Sequence, residues 1–341
     1  MASNYKNKFA DAVFEGGGVK GIGLIGAMKV MEDDGYEWRN VAGTSAGAIV
    51  ASLVSAGYNA IELKEIIENI NYKDMLGNGK KNNCMLGKAN NLIFKKGIYK
   101  SDYLKQFVNG LLYDKLKNKL ENRKQVKFKD LIIPGKKGIL LNNPKYKRKY
   151  KLHIIATDIT KGKMLILPED IADYGLNPDE LDVSLAVRMS ISIPFFFQPI
   201  ILKSAVTREK SLIVDGGVLS NYPVWLFDVN GVPNYPTIGF KLGASDEKAR
   251  LNKTNNIFNM GAAVISTMLE AQDDVHIAEM EYLRSIKINT LNVKATDFDI
   301  SKGKVEELYL SGENCARRFL EVMNPNYEKY IEYRKKNTLS V

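Results

Sequence analysis

Residues 40–57 read NVAGTSAGAIVASLVSAG, and this stretch decides the fold. An apolar run reaching Ala42, a turn over Gly43-Thr44-Ser45-Ala46-Gly47 and a helical pattern closed by Gly57 read as strand, tight turn and helix. A G-x-S-x-G pentapeptide in that setting is a nucleophile elbow: the strained turn exposes the serine Oγ, and the first turn of the helix offers the Ala46 N–H to a developing oxyanion. The pentapeptide alone does not distinguish this chemistry from close packing of small residues.

The segment upstream adds to it. A strand at Ala10–Phe14 leads to Gly16-Gly17-Gly18-Val19-Lys20-Gly21 and then to a helical pattern through Ile22, Ile25, Met28, Val30 and Met31. Three glycines at a strand end present backbone N–H groups to one point without side-chain obstruction, as acyl transfer requires. Gly16, Gly18 and Gly21 also fit G-x-G-x-x-G. A dinucleotide site needs an acid at the end of the second strand, which instead ends at Ala42-Gly43-Thr44-Ser45. A nucleophilic serine needs a base. The two histidines are His153, in the strand-like KLHIIA, and His276, in the helical EAQDDVHIAEM; both positions suit structural or surface residues. Asp215, at the end of SLIVDGG, stands on a turn where Gly216 and Gly217 let another loop come close.

Taken in order, GGGVKG, GTSAG, SISIPFFF and DGGVLSNYP, spanning residues 16–223, resemble the patatin-like phospholipase family. The resemblance implies a catalytic dyad of Ser45 as nucleophile and Asp215 as base. It implies an oxyanion hole at Gly16, Gly17 and Gly18, joined by Ala46, and no cofactor or metal. Lys20 and Gly21 match the family's glycine motif, Gly43 and Gly47 flank the nucleophile, and Ser190, Ser192 and Pro194 match its Ser-x-Ser-x-Pro element. Gly216 and Gly217 complete the base motif. A carboxyl group can serve as base near neutral pH only if its pKa is raised, so the dyad requires a largely buried Asp215. Two other readings stay open at this level: an α/β-hydrolase triad of Ser45, Asp215 and His276, which have the right chain order, and a non-catalytic module that binds anionic membranes.

The implied architecture is an α/β three-layer sandwich with a mostly parallel central sheet flanked by helices and a basic inserted cap. The remaining pattern agrees with it. Helices are expected at 59–70, 101–120 with Ser101 as N-cap, 182–190, 254–282 and 303–322. A hairpin is expected around Thr160-Lys161-Gly162, and strands at SLIVDGG, PTIGFKLG and RSIKINTL. The acyl hydrolase domain is placed at 8–322, with residues 323–341 as a tail packed on it or extending from it. Phe195, Phe196 and Phe197 suit either the buried core or an acyl channel.

Composition sets the outer limits. The 341 residues are 45% hydrophobic and 26% charged, which excludes disordered and collagenous chains. Cys84 and Cys315 are the only cysteines, too few for a disulfide framework and suited to a reducing compartment. No secretory leader is evident, and no apolar run approaches the about 20 residues of a membrane span, so a cytoplasmic or peripheral membrane protein is expected. Net charge is +10, yet residues 80–151 hold 21 Lys and Arg against 4 Asp and Glu, or +17, which leaves −7 for the rest. Such a segment suits an anionic lipid surface. It carries no recognised nucleic-acid motif, so no nucleic-acid partner is expected.

Overall fold

The computed structural model describes residues 8–69, 97–99, 101–135, 139–140, 143–147, 149–243, 263–264, 267, 279–295, 297 and 299–338. The expected helix at 254–282 and His276 fall mostly or wholly outside the described residues. Eight strands form the main sheet: β1 (Lys8–Phe14), β2 (Tyr36–Thr44), β3 (Leu152–Asp158), β4 (Lys163–Leu167), β5 (Ile200–Lys203), β6 (Lys210–Asp215), β7 (Thr237–Gly243) and β8 (Ser285–Asn289). Their order is β8-β7-β1-β2-β3-β6-β5, with β4 also paired to β3. The first five in that order run parallel, and β4, β5 and β6 pair antiparallel.

Side-chain alternation sends residues to two cores on opposite faces of the sheet. Ala12, Phe14, Val41 and Ile154 enter the larger core with the helices, while Val13, Ala42 and Ile155 meet Val224, Leu226 and Phe227 in a smaller one. The helices are α1 (Ile22–Asp33), α2 (Ala46–Ala56), α3 (Ala60–Glu68), α4 (Asp102–Leu116), α5 (Val183–Ser190) and α6 (Lys302–Thr338). Asn59 and Glu62 close a reciprocal capping box on α3. Ser101 does not cap α4 with its side chain; its Oγ instead accepts the Arg188 Nε–H at 3.2 Å, and so ties α4 to α5.

β3 has three partners, and this arrangement positions the site. β4 pairs with its residues 154–158 along one edge. The other edge is shared: β2 runs up it to Thr44, opposite Ile155, and β6 runs down it to Asp215, opposite Ala156. Two strands approaching head-on therefore stop at adjacent residues of a third.

Five lysines of the basic segment pair with acids elsewhere in the chain. Lys127 and Lys129 both pair with Glu180 and hold its carboxyl down at about 2. Lys145 pairs with Asp170 and Asp173, Lys149 with Asp179, and Lys115 with Glu62. Residues 323–338 continue α6 without a break through Pro325. Met323 and Tyr330 are buried, and Arg334 donates to the Val229 and Gly231 carbonyls. The boundary drawn at 322 thus falls within one helix whose end packs on the domain.

α1 and α6 make the closest helix crossing, backbone against backbone. A Cβ at Gly26 would overlap the Tyr309 carbonyl, and one at Gly312 would overlap that of Gly23. Gly26→Ala is therefore expected to destabilise the fold by roughly 1–3 kcal/mol, as overpacking does. Urea unfolding checks this, and an unchanged midpoint would show that the crossing has slack.

Candidate active site

Ser45 lies between the last residue of β2 and the first of α2, with φ 52° and ψ −123°. A non-glycine residue there carries about 1–3 kcal/mol of strain, and three hydrogen bonds hold it. The Ser45 N–H donates to Ser190 Oγ at 2.9 Å, and the Ser45 carbonyl accepts from Ala48 and Ile49 at 2.9 and 3.4 Å. Ser190 Oγ in turn donates to the Ile155 carbonyl at 2.5 Å, the point on β3 where β2 has ended. Gly43 and Gly47 lie against each other beneath the turn, with no room for a Cβ on Gly43.

Asp215 arrives from the opposite direction and is fully buried. Its N–H donates to the Ser192 carbonyl at 2.9 Å, and its Oδ1 accepts the Gly217 N–H at 2.8 Å. Gly216 packs on the Ile155 carbonyl so closely that a side chain there would collide. Burial pushes the Asp215 carboxyl up to about 7, against the smaller downward pull of the Ser45 hydroxyl and the Gly217 N–H. The Ser45 hydroxyl adjoins this carboxyl, whose Oδ2 is buried and makes no hydrogen bond of regular geometry. A hydroxyl on a strained turn thus adjoins a buried carboxyl whose pKa is raised toward neutrality.

The glycine loop leaves β1 and closes over the same point. Its amides differ. The Gly16 N–H is consumed by the Asn221 carbonyl at 3.1 Å, while among the described residues no acceptor takes the N–H of Gly17, Gly18 or Ala46. Gly18 has φ +54° and sits on the Ala295 carbonyl, a place only glycine fills without strain. The Lys20 N–H closes the turn onto the Gly17 carbonyl at 3.1 Å, and the Lys20 side chain is buried. Gly21 packs on Ala46. Beneath the loop, the buried Glu15 carboxylate accepts the Leu242 N–H and pairs with the buried Lys241 at 3.4 Å.

Ser45, Gly18 and Ala46 open onto a cavity of about 120 Å³ whose other walls are apolar, with Ile25, Ile49, Leu53, Leu63, Leu104 and Phe197 among them. Of the three phenylalanines, Phe197 lines this cavity, Phe196 is half-buried on the core and Phe195 is exposed. Pro194, half-buried, follows the cavity-lining Ile193. His153 is buried on β3, with Nε2 3.3 Å from Glu169 Oε1 and its ring edge-on to Phe227; it plays no part at Ser45. Among the described residues no three His, Cys, Asp or Glu side chains are grouped as a metal would need.

The pattern of the patatin-like phospholipases matches residues 12–228. The chain belongs to the patatin-like phospholipase family. It is 36% identical over 316 residues to the uncharacterized protein YqhO of Bacillus subtilis (strain 168), covering 92% of this chain and 98% of that one. It is 25% identical over 331 residues to the uncharacterized protein R571 of Acanthamoeba polyphaga mimivirus, covering 94% and 96%. In fold it is similar to the crystal structure of VipD from Legionella pneumophila, with a TM-score of 0.56 and 17% identity over 98% of this chain and 74% of that one.

Asn221 is the site residue that motif reading passed over. Besides accepting the Gly16 N–H, it donates its Nδ2–H to the Gly16 carbonyl at 3.0 Å, while the neighbouring Ser220 carbonyl accepts the Thr44 hydroxyl at 3.1 Å. Its place six residues after Asp215 was the available signal. In this patatin-like fold Asn221 clamps the glycine loop to the segment that carries Asp215. Asn221→Ala is expected to slow ester turnover by roughly 10- to 100-fold through a misplaced loop while leaving KM nearly unchanged, as steady-state kinetics would show. A rise in KM alone would assign Asn221 to substrate binding.

Proposed function

We propose that the protein is a lipid acyl hydrolase of phospholipase A type, with Ser45 as nucleophile and Asp215 as base. The observation that carries this reading is a buried carboxyl titrating at about 7 beside a strained serine at the edge of an apolar cavity. Ionised Asp215 takes the Ser45 proton as Oγ attacks the ester carbonyl, and the alcohol leaves with that proton. Water, activated by the same carboxylate, then hydrolyses the acyl-enzyme. The amides of Gly17, Gly18 and Ala46 receive the oxyanion. Gly16, expected to be a fourth donor, instead spends its N–H on Asn221 and acts as the anchor of the loop. Among the described residues Asp215 has Gly217 and Ser45 as its polar neighbours, and the dyad needs no third group.

Docking on anionic lipid through segment 80–151 is part of this proposal in reduced form. Its partnered lysines are neutralised, so the attraction falls to residues such as the exposed Lys117, Lys119 and Lys124 at the end of α4, each adding about 1 kcal/mol. Among the described residues no helix is long and apolar enough to cross a membrane.

Fatty-acid release from vesicles with and without phosphatidylglycerol, under chelated calcium-free conditions, tests the reading. The wild type and His276→Ala should release fatty acid, faster from the anionic vesicles at low salt, and Ser45→Ala should release none. Loss of several orders of magnitude in His276→Ala would restore the triad, and equal rates on both vesicles would remove the docking claim.

Asp215 also sets the pH response. The base must be ionised, so kcat/KM should rise through an acid limb centred near 7. Its folded pKa lies above the ordinary value of about 3.9, so ionisation costs stability, and the cost grows as pH rises from about 4 to about 7. Asp215→Asn is therefore expected to be inactive yet to melt higher than the wild type at pH 8, with little difference at pH 4. Equal melting of the two at pH 8 would mean that the carboxyl is not held in a desolvated site.

A further inference from the structure

The cavity beside Ser45 has a measurable length. Its lining residues on α2 are Ala46, Ile49, Val50 and Leu53, one stripe along the helix, so the space runs parallel to α2 for seven residues, or about 10 Å at 1.5 Å per residue. α4 gives a second measure. Its N-terminal end is tied near the site by Ser101 and Arg188, its Leu104 and Phe107 face the cavity, and Leu111 lies seven residues beyond Leu104.

Leu53 is the last residue of α2 on the cavity, and the lining continues on α3 at Leu63, Ile66 and Ile67. Tyr58, just past the end of α2, donates its hydroxyl to the Leu111 carbonyl at 2.9 Å. Lys115 pairs with Glu62 at 2.5 Å and lies 4.7 Å from the centre of the Tyr58 ring. This polar clamp fastens α4 to the α2–α3 corner, and Leu53 and Leu63, both buried, stand in front of it. An alkyl chain growing along α2 would run toward this clamp.

Resting on the acyl-hydrolase reading, we infer that the chamber takes one medium-length acyl chain and that Leu53 and Leu63, backed by the Tyr58–Leu111 clamp, set its limit. Carbon–carbon bonds of about 1.5 Å, set in a zigzag, advance somewhat less than that per atom, so about 10 Å holds an extended chain of about eight carbons. Longer chains must leave a tail at the mouth or part the clamp, and either loses the apolar burial that drives binding. The preferred substrates are therefore esters of medium-chain acids, or longer lipids bound with part of the chain outside.

The test uses alkyl fluorophosphonates with chains of 4 to 16 carbons. Ser45 Oγ forms a bond to phosphorus, the phosphorus–fluorine bond breaks, fluoride leaves and the hydroxyl proton passes to Asp215, so labelling reads chain fit without needing the natural substrate. Labelling of the wild type should peak near eight carbons and fall by about tenfold or more at 16, in line with the cost of misfit methylenes in an apolar pocket. Leu53→Phe should move the peak to shorter chains and Leu53→Ala to longer ones, while the four-carbon probe labels all three at similar rates and so reports an intact site. Equal labelling at 8 and 16 carbons in the wild type, or a peak that neither variant moves, would overturn the limit while leaving the hydrolase reading in place. No labelling of Ser45 at any length would overturn the hydrolase reading and this inference with it.

Discussion

Everything at the site depends on the Ile155 carbonyl. β2 and β6 meet head-on along one edge of β3, and neither continues past the other, so the carbonyl at their junction has no strand N–H to accept. Leaving it unpaired in the core would cost about as much as a lost hydrogen bond. Ser190 supplies the donor and, with its lone pair, holds the Ser45 N–H. Gly216 fills the remaining space against the same oxygen. One backbone group thereby fixes the Ser45 turn, the start of the Asp215 loop and the end of α5. The strain at Ser45 persists because it is over-determined from three directions rather than because any one contact is strong.

The glycine loop is fixed by a parallel logic. Three segments far apart in sequence hold it: Asn221 grips Gly16 by both its side chain and its main chain, Ala295 accepts the Val19 N–H at 3.1 Å, and β7 supplies Leu242, which fills the space beside Gly17, and Lys241, which pairs with Glu15 underneath. A buried ion pair adds little net stability, but removing one partner leaves an uncompensated charge, so its contribution here is to position. Of the loop's amides, the one most firmly held, at Gly16, is thereby removed from the chemistry, and the remaining amides gain a rigid base. A loop of glycines would otherwise be the most mobile part of a site whose donors must already point at the oxyanion before it forms.

How far the sequence discloses this follows the range of each interaction. Local patterns are legible: the strand-turn-helix of residues 40–57, the helix that starts at Asn59, the hairpin whose turn is closed by Asp158 accepting from Thr160 and Lys161, and the burial of Asp215, which its proposed role required. What pairs across the chain is not. The use of the Gly16 N–H by Asn221 spans 205 residues, and nothing in GGGVKG distinguishes its first amide from the next two. Ser101 has the residue type and position of an N-cap, but Arg188, 87 residues away, takes its oxygen. Pro325 reads as a helix end, and tertiary contacts made by Met323 and Tyr330 carry α6 through it.

The basic segment shows the same limit with a functional consequence. Counted along the chain, residues 80–151 are a strongly cationic block; six acids stand between Glu169 and Asp182 with no lysine or arginine among them, and several of them lie directly on it. The two stretches are complementary surfaces, and their pairs, mostly half-exposed, are individually weak. Such pairs set register rather than strength. In the same segment, α4 is held to the α2–α3 corner by the Lys115–Glu62 pair and the Tyr58–Leu111 hydrogen bond, and its Leu104 and Phe107 form a wall of the cavity. A segment whose composition reads as a membrane-docking face thus also works inward. Five of its 21 basic residues pair with acids elsewhere in the chain, so part of the charge asymmetry in the sequence is one half of an internal interface.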